Sequence, residues 1–343
     1  MRAVRYSSVG GALELVDVPE PACPADGAVV RVEATGICRS DWHAWRGHDP
    51  VPLPMIPGHE FAGTVAAVGP EVVGFAVGDR VTVPFVNGCG RCSWCLEGDA
   101  QVCPDQTQPG FTHPGSYAEL VQVRAADFNL VRLPDSVDAV TAASLGCRFA
   151  TSYHALTRQS RLSAGHWLAV YGCGGVGASA ILIGKALGAQ VVAIDPSPAA
   201  RERAISLGAD HVAAAADVNA ILELTGGGAH VSIDALGSSE TAAASVRTLR
   251  RRGRHVQVGL MLDAHADAPL PWGPVISKEL EIVGSHGMAA ADYPELLAMV
   301  ADGRLDPRRL IGRVVTLSDA PTELAAMDSL VAATSGLVVA TVP

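Results

Sequence analysis

The sequence predicts an α/β protein of two domains, one β-rich and barrel-like, the other a doubly wound parallel sheet. Three observations carry this. Up to about residue 150 the chain reads as short apolar or alternating strands separated by Gly and Pro. Beyond that point apolar strands alternate with helices in a βαβαβ order, which folds parallel. A length of 343 residues lets each domain bury a core of its own.

In the first domain, Ala28–Val32, Phe61–Val68 and Arg80–Pro84 read as strands, and Val68 to Arg80 as turns between two of them. The second domain opens with strand His166–Tyr171. The turn Gly172-Cys173-Gly174-Gly175-Val176-Gly177 follows, then a helix to about Gly188 and strand Gln190–Ile194, which ends at Asp195. Later strands are read at Val231–Ala235, His255–Leu260 and Leu280–Gly284, with helices around 197–207 and 239–250. After about residue 285 come a helix over 292–302, Arg313–Leu317, a helix over 320–333 and strand Gly336–Val342. These are too few for a third domain and are expected to complete the first. The domains expected are thus 1–150 with 286–343, and 151–285.

Charge and composition exclude some functions. A net charge of -10 argues against nucleic acid and anionic membrane surfaces. The N-terminal MRAVRYSSVG has no apolar run behind its charges, so no signal peptide is read there. The apolar window Trp167 to Gly184 is glycine-rich and reads as a buried strand, turn and helix rather than a membrane span. Four of the eight cysteines crowd into one short loop, which is metal spacing and not a disulfide framework, so a cytoplasmic location is the expectation.

The stretch Cys38 to Glu60 joins a cysteine, Ser40, Asp41 and His43 to a closing His59-Glu60 pair. Pro50, Pro52, Pro54 and Pro57 fall within it, and the whole stretch reads as an ordered loop and not a helix. A thiolate, an imidazole and a carboxylate held there suit a zinc ion with an open position, although a buried cysteine and an unrelated histidine fit two isolated residues as well. Residues 89–103, CGRCSWCLEGDAQVC, set Cys89, Cys92, Cys95 and Cys103 within one tight loop, which can bring four sulfurs around a single structural zinc. Spacing alone would also suit a nucleic-acid-binding zinc knuckle, but Arg91, Glu97 and Asp99 form no basic patch. Cys147, in LGCRFATSYHAL, is distant in sequence and is a candidate third ligand for the Cys38 site.

The glycine turn lies between a strand and a helix, with Asp195 eighteen positions after Gly177. This is the context of a dinucleotide site: the glycines let the backbone approach a pyrophosphate at the helix N-terminus, and the carboxylate accepts from the adenosine ribose hydroxyls. A carboxylate there repels a 2′-phosphate, so NAD is expected rather than NADP. Arg201 lies close enough in sequence to reach back and weaken that preference.

GICRSDWH at 36–43, GHEFAGTVAAVG at 58–69, the cysteine loop, LGCRFATSYHAL at 145–156 and GCGGVG at 172–177 together resemble the zinc-dependent alcohol dehydrogenases of the medium-chain dehydrogenase/reductase superfamily. The resemblance covers essentially the whole chain. It implies a GroES-like catalytic domain, a Rossmann domain binding NAD, an active site in the cleft between domains, and two zinc ions per chain. By resemblance Cys38, His59 and Cys147 bind the catalytic zinc, Glu60 sits behind it as a transient ligand, and Cys89, Cys92, Cys95 and Cys103 bind the structural one. Ser40 and His43 match a proton relay, and Asp41 a carboxylate that orients His59. Arg39 matches a cofactor phosphate contact, and Thr151 and Val176 match nicotinamide neighbours. Trp42, Trp45 and Phe85 are candidate pocket walls, which would favour apolar or aromatic alcohols oxidised to aldehydes or ketones. A homotetramer is the family expectation, with a dimer possible.

One departure is visible. Family members often carry a Gly-Arg pair in the last strand, where the arginine helps hold the cofactor; here the pair is Gly336-Leu337. Other readings are a polyol or amino-alcohol dehydrogenase, which often has a carboxylate where Cys147 stands, a zinc-free quinone or enoyl reductase, and a non-catalytic NADH-binding or structural protein on the same fold.

Overall fold

The computed structural model describes residues 1–214, 217–329 and 336–343, and the chain divides into two compact units. Met1–Ala150 joins Gly287–Pro343 in the first, and Thr151–His286 forms the second.

The first unit is built on a sheet in the order Ile311–Thr316, Leu337–Thr341, Ala28–Ile37, Phe61–Val68, Arg80–Thr82, Val131–Arg132, with Leu120–Val123 also paired to Ala28–Ile37. The pairings are antiparallel except that of Ile311–Thr316 with Leu337–Thr341. The C-terminal strand therefore returns to the N-terminal sheet, setting Val338 against Ile37. Alternation drives this: along Ala28–Ile37, Val30 and Val32 are buried and Arg31 is exposed. With Phe61, Val65, Val81, Tyr117 and Val338 they make the core. Ala28–Ile37 runs five residues beyond the strand read at Ala28–Val32, because its second half is buried on both faces and loses the period-two signal.

Cys38 to Glu60 is not loop throughout. Arg39–Arg46 is an α-helix. No Gly or Pro interrupts it, Asp41 Oδ2 accepts from the Cys38 N–H (3.2 Å) at its start, and Gly47 ends it with φ 81°. The prolines, which marked the stretch as loop, all lie beyond that glycine.

In the second unit six parallel strands run in the order His211–Ala213, Gln190–Ile194, Trp167–Tyr171, Ala229–Asp234, Leu249–Gln257, Glu281–Gly284. Successive strands after Trp167–Tyr171 leave to one side of it and then to the other, so the order reverses there. The apolar window resolves into strand Trp167–Tyr171 and helix Gly175–Ala186, and no helix among the described residues is long and apolar enough to cross a membrane. Leu249–Gln257 starts six residues before the strand read at His255, since Arg250, Arg251 and Arg252 face solvent and hide it. The helix read at 320–333 covers Ala320–Ala326 among the described residues, and 330–333 lie outside them.

Candidate metal centres and cofactor site

Sheet register assembles the first candidate metal site. Thr35 pairs with Phe61, and the Gly36 N–H donates to the Glu60 carbonyl (2.7 Å). Cys38, one strand end, therefore meets His59 and Glu60, which lead into the neighbouring strand. Cys147 is brought to them by Glu60 itself, whose Oε1 accepts from the Cys147 N–H (2.9 Å). One ligand atom from each of Cys38, His59, Glu60 and Cys147 lies within 4.8 Å of all the others.

The histidine is oriented for a metal. His59 Nδ1 is 2.9 Å from Asp41 Oδ1, which also accepts from the Gly58 N–H (2.9 Å). Tyr117 donates its hydroxyl to Asp41 Oδ2 (3.3 Å). That leaves Nε2 as the ligand atom, buried and without a hydrogen-bond partner. A buried, unpaired imidazole nitrogen costs free energy unless something binds it, so the set fits a zinc ion that prefers sulfur and nitrogen. The electrostatics mark a site that favours a cation. The Cys147 thiol donates to Cys38 and pulls its pKa well below the usual thiol range, against burial and with help from Arg148 and His59. Burial would depress His59, but the Asp41 carboxylate overrides it and raises the pKa.

Sequence reasoning passed over Arg148, although it follows Cys147 directly. Its guanidinium forms a buried ion pair with Glu60, through Nη2 to Oε2 and Nε to Oε1 (3.2 Å), and its backbone N–H reaches Oε1 (3.2 Å). Phe111 was also missed; its ring packs edge-on to His59 with centroids 5.2 Å apart, and Phe85 does the same at 6.0 Å. Apolar rings stand beside the metal histidine, but nothing in local sequence marks Phe111.

Of the other pocket candidates, Trp45 packs into the core of the unit, and its indole N–H donates to the Gly11 carbonyl (2.8 Å). Trp42 is half-buried and donates to Asp328 (2.8 Å), with the Arg39 guanidinium 4.0 Å above its ring. Arg39 also donates to the Met327 carbonyl. Ser40 Oγ lies 3.7 Å from Cys38 Sγ. His43 is one helical turn further on, and its Nδ1 is 3.1 Å from Nδ1 of exposed His48. His48 was missed because Gly47 turns the chain and breaks helical spacing.

The second site holds Cys89, Cys92, Cys95 and Cys103, again with ligand atoms within 4.8 Å. Cys89 and Cys95 sulfurs are 4.0 Å apart, and those of Cys92 and Cys103 are 3.7 Å apart. Four sulfurs at about 2.3 Å from one zinc sit about 3.8 Å from each other, so the spacing suits an ion and not disulfides. Backbone N–H groups of Arg91 and Cys92 draw the Cys89 thiol down to about 6, while burial pushes that of Cys95 up to about 12. Asn129 pins the loop, exchanging hydrogen bonds with the N–H and carbonyl of Gly88 (2.9 Å each).

In the second unit the glycine turn stands at the reversal of strand order. Gly172 has φ 85°, and a Cβ on Gly177 would lie 1.7 Å from the Gly172 carbonyl oxygen, so neither position admits a side chain without strain. Gly174 caps the helix Gly175–Ala186 with no side-chain bond, and a Cβ there would meet nothing within 4 Å. A helix N-terminus with open space beside its cap fits a pyrophosphate. Asp195 accepts from the Cys173 N–H and the Ser197 N–H (2.8 Å each). Arg201 does reach back, donating to the carbonyls of Asp195 (2.7 Å) and Pro196 (2.8 Å). Thr151 is buried, and Val176, in the first turn of the glycine helix, accepts from Ser152 (2.9 Å). Leu337, where the family arginine is often found, is buried in the first unit's sheet.

These features meet in one kind of protein, a zinc-binding oxidoreductase with a dinucleotide-binding fold, and comparison with known proteins agrees. Residues 24–135 match the "Alcohol dehydrogenase GroES-like domain" and residues 175–302 the "Zinc-binding dehydrogenase" family. An alcohol dehydrogenase of Geobacillus stearothermophilus is 34% identical over 90% of both chains. Alcohol dehydrogenase TADH from Thermus sp. ATN1 superposes with a TM-score of 0.92 at 31% identity, covering 100% of both chains. A solved NAD-dependent alcohol dehydrogenase gives 0.89 at 30% identity, again over 100% of both. The chain belongs to the zinc-dependent alcohol dehydrogenases of the medium-chain dehydrogenase/reductase superfamily.

Proposed function

We propose that this alcohol dehydrogenase transfers hydride reversibly between a primary or secondary alcohol, preferentially apolar or aromatic, and NAD, with two zinc ions per chain. The carrying observation is the buried Cys38, His59, Cys147 set, with His59 Nε2 unpartnered and Nδ1 held by Asp41. When bound there, zinc supplies a Lewis acid that eases ionisation of an alcohol oxygen. The chain's own groups do the rest. Phe85 and Phe111 line the metal histidine with apolar surface that excludes water. Ser40 takes the hydroxyl proton, and His43 passes it outward, with His48 beside it at the exposed end. The family expectation of a cytoplasmic homotetramer is part of this reading. Following NADH formation over primary, secondary, aromatic and polyhydric alcohols tests the substrate class; activity confined to sorbitol or threonine would move the protein to the polyol or amino-alcohol branch.

His43→Ala is expected to retain both zinc ions and slow oxidation about tenfold to a hundredfold, most at neutral pH and below, where external base is scarce. Ser40→Ala should cost more, since Ser40 stands nearest the metal cysteine. Unchanged pH-rate profiles in both variants would remove the relay.

Cofactor choice rests on Asp195. Losing its bonds to the ribose, at ~1.5–3 kcal/mol for a charge-assisted bond, predicts a preference for NAD on the order of tenfold to a hundredfold. Asp195→Gly should lose most of it, chiefly through a higher KM for NAD, because the Cys173 N–H is released as well. Comparing kcat/KM for NAD and NADP in wild type and variant decides; equal use of NADP by the wild type would make Arg201 a phosphate anchor.

A further inference from the structure

We infer that Arg148 is a positioning residue: it holds the Glu60 carboxylate in its seat beside the catalytic metal site and so keeps a coordination position open for substrate. The inference rests on reading Cys38, His59 and Cys147 as the metal ligands. A Glu60 oxygen is one of the four ligand atoms lying within 4.8 Å of each other, so Glu60 is itself a candidate ligand. Yet both oxygens of its carboxylate are already engaged. Oε1 accepts from the N–H groups of Cys147 (2.9 Å) and Arg148 (3.2 Å) and from Arg148 Nε (3.2 Å), and Oε2 accepts from Arg148 Nη2.

The seat is built closely. A Cβ on Gly36 would lie 2.3 Å from Glu60 Oε2, and one on Gly146 would lie 2.6 Å from Glu60 Cβ. Only glycine at these positions lets the carboxylate lie there. The Glu60 side chain is fully buried and that of Arg148 is 10% exposed, so water does not replace the guanidinium if it is lost. A buried carboxylate deprived of its cation turns to the nearest other one, and here that is a divalent ion bound by two sulfurs and an imidazole. A fork that grips both oxygens prevents this, where a single-point cation would leave one oxygen able to turn.

Cobalt(II) in the catalytic site reads the ligand count directly, because its visible bands weaken as a tetrahedral site gains a fifth ligand. In wild-type protein with substrate absent, strong tetrahedral bands are expected. In Arg148→Met they should lose about half their intensity, as geometry follows ligand number. Extraction of cobalt by a chelator should slow in the same variant. Arg148→Met/Glu60→Gln should restore the strong bands, since the amide has no charge to bring to the ion. If Arg148→Met does not fold, Arg148→Lys, which keeps the charge and loses the fork, should show a smaller loss of the same sign. Cobalt bound with wild-type bands in the single variant, or a loss that persists in the double variant, overturns the inference. A wild-type spectrum indistinguishable from that of Cys38→Ser would instead overturn the metal reading beneath it.

Discussion

Replacing Cys38 with serine is expected to abolish alcohol oxidation while leaving the fold intact and about one zinc per chain. The sulfur is buried at a strand end, where the paired strand sets it beside His59 and the Glu60 seat sets it beside Cys147. A hydroxyl at this point is a weak ligand, and the remaining imidazole and thiol do not hold zinc against dilution. Lewis-acid activation contributes several kcal/mol, and each 1.36 kcal/mol is tenfold, so turnover should fall on the order of a thousandfold or more. The strands themselves depend on Val30, Val32, Phe61 and Val65 and not on the sulfur, so the thermal midpoint should move little. Metal analysis, turnover and a melting curve on one preparation check this. Full activity in Cys38→Ser would remove the catalytic assignment, and with it the inference about Arg148.

Much of this site was legible in sequence, for a physical reason. Cys89, Cys92, Cys95 and Cys103 are close in the chain, so spacing alone nearly determines their geometry. The glycine turn is legible likewise, because Gly172 and Gly177 answer a local backbone need. Asp41 and His59 were paired only through resemblance, since the contact between them depends on where helix Arg39–Arg46 ends and the chain returns. Arg148 and Phe111 could not be read at all. Their partners, Glu60 and His59, lie far off in the chain, and neither residue sits in a pattern that local physics demands. Trp45 is placed by packing that the sequence does not display: helix Arg39–Arg46 turns it toward the core, where Gly11 takes its N–H.

The cysteine lobe should show the largest stability effect. Residues 89–103 contain only a one-turn helix, Ser93–Leu96, and a short 3₁₀ turn, Ala100–Val102. Trp94, Leu96 and Val102 are exposed by 48%, 74% and 47%, so the lobe buries little apolar surface to offset its ordering entropy. Its small core is Ala100 and Ala289 with Phe128 and the cysteines themselves. Asn129 ties down only the Gly88 end. An ion at the centre of the four sulfurs is what remains to hold the rest, and its binding free energy is then folding free energy for the lobe. Cys95→Ser opens that cage at one of its two buried cysteines. A loss on the order of 3–5 kcal/mol follows, and at about 2–4 °C per kcal/mol the melting midpoint should drop by roughly 6–20 °C. Zinc content should fall to about one per chain, and the catalytic site should keep its metal, so activity measured well below the new midpoint should largely survive. Proteolysis should then cut within 89–103 first, where backbone is released. Two zinc ions retained in Cys95→Ser with an unshifted midpoint would show that the lobe holds itself together without the metal.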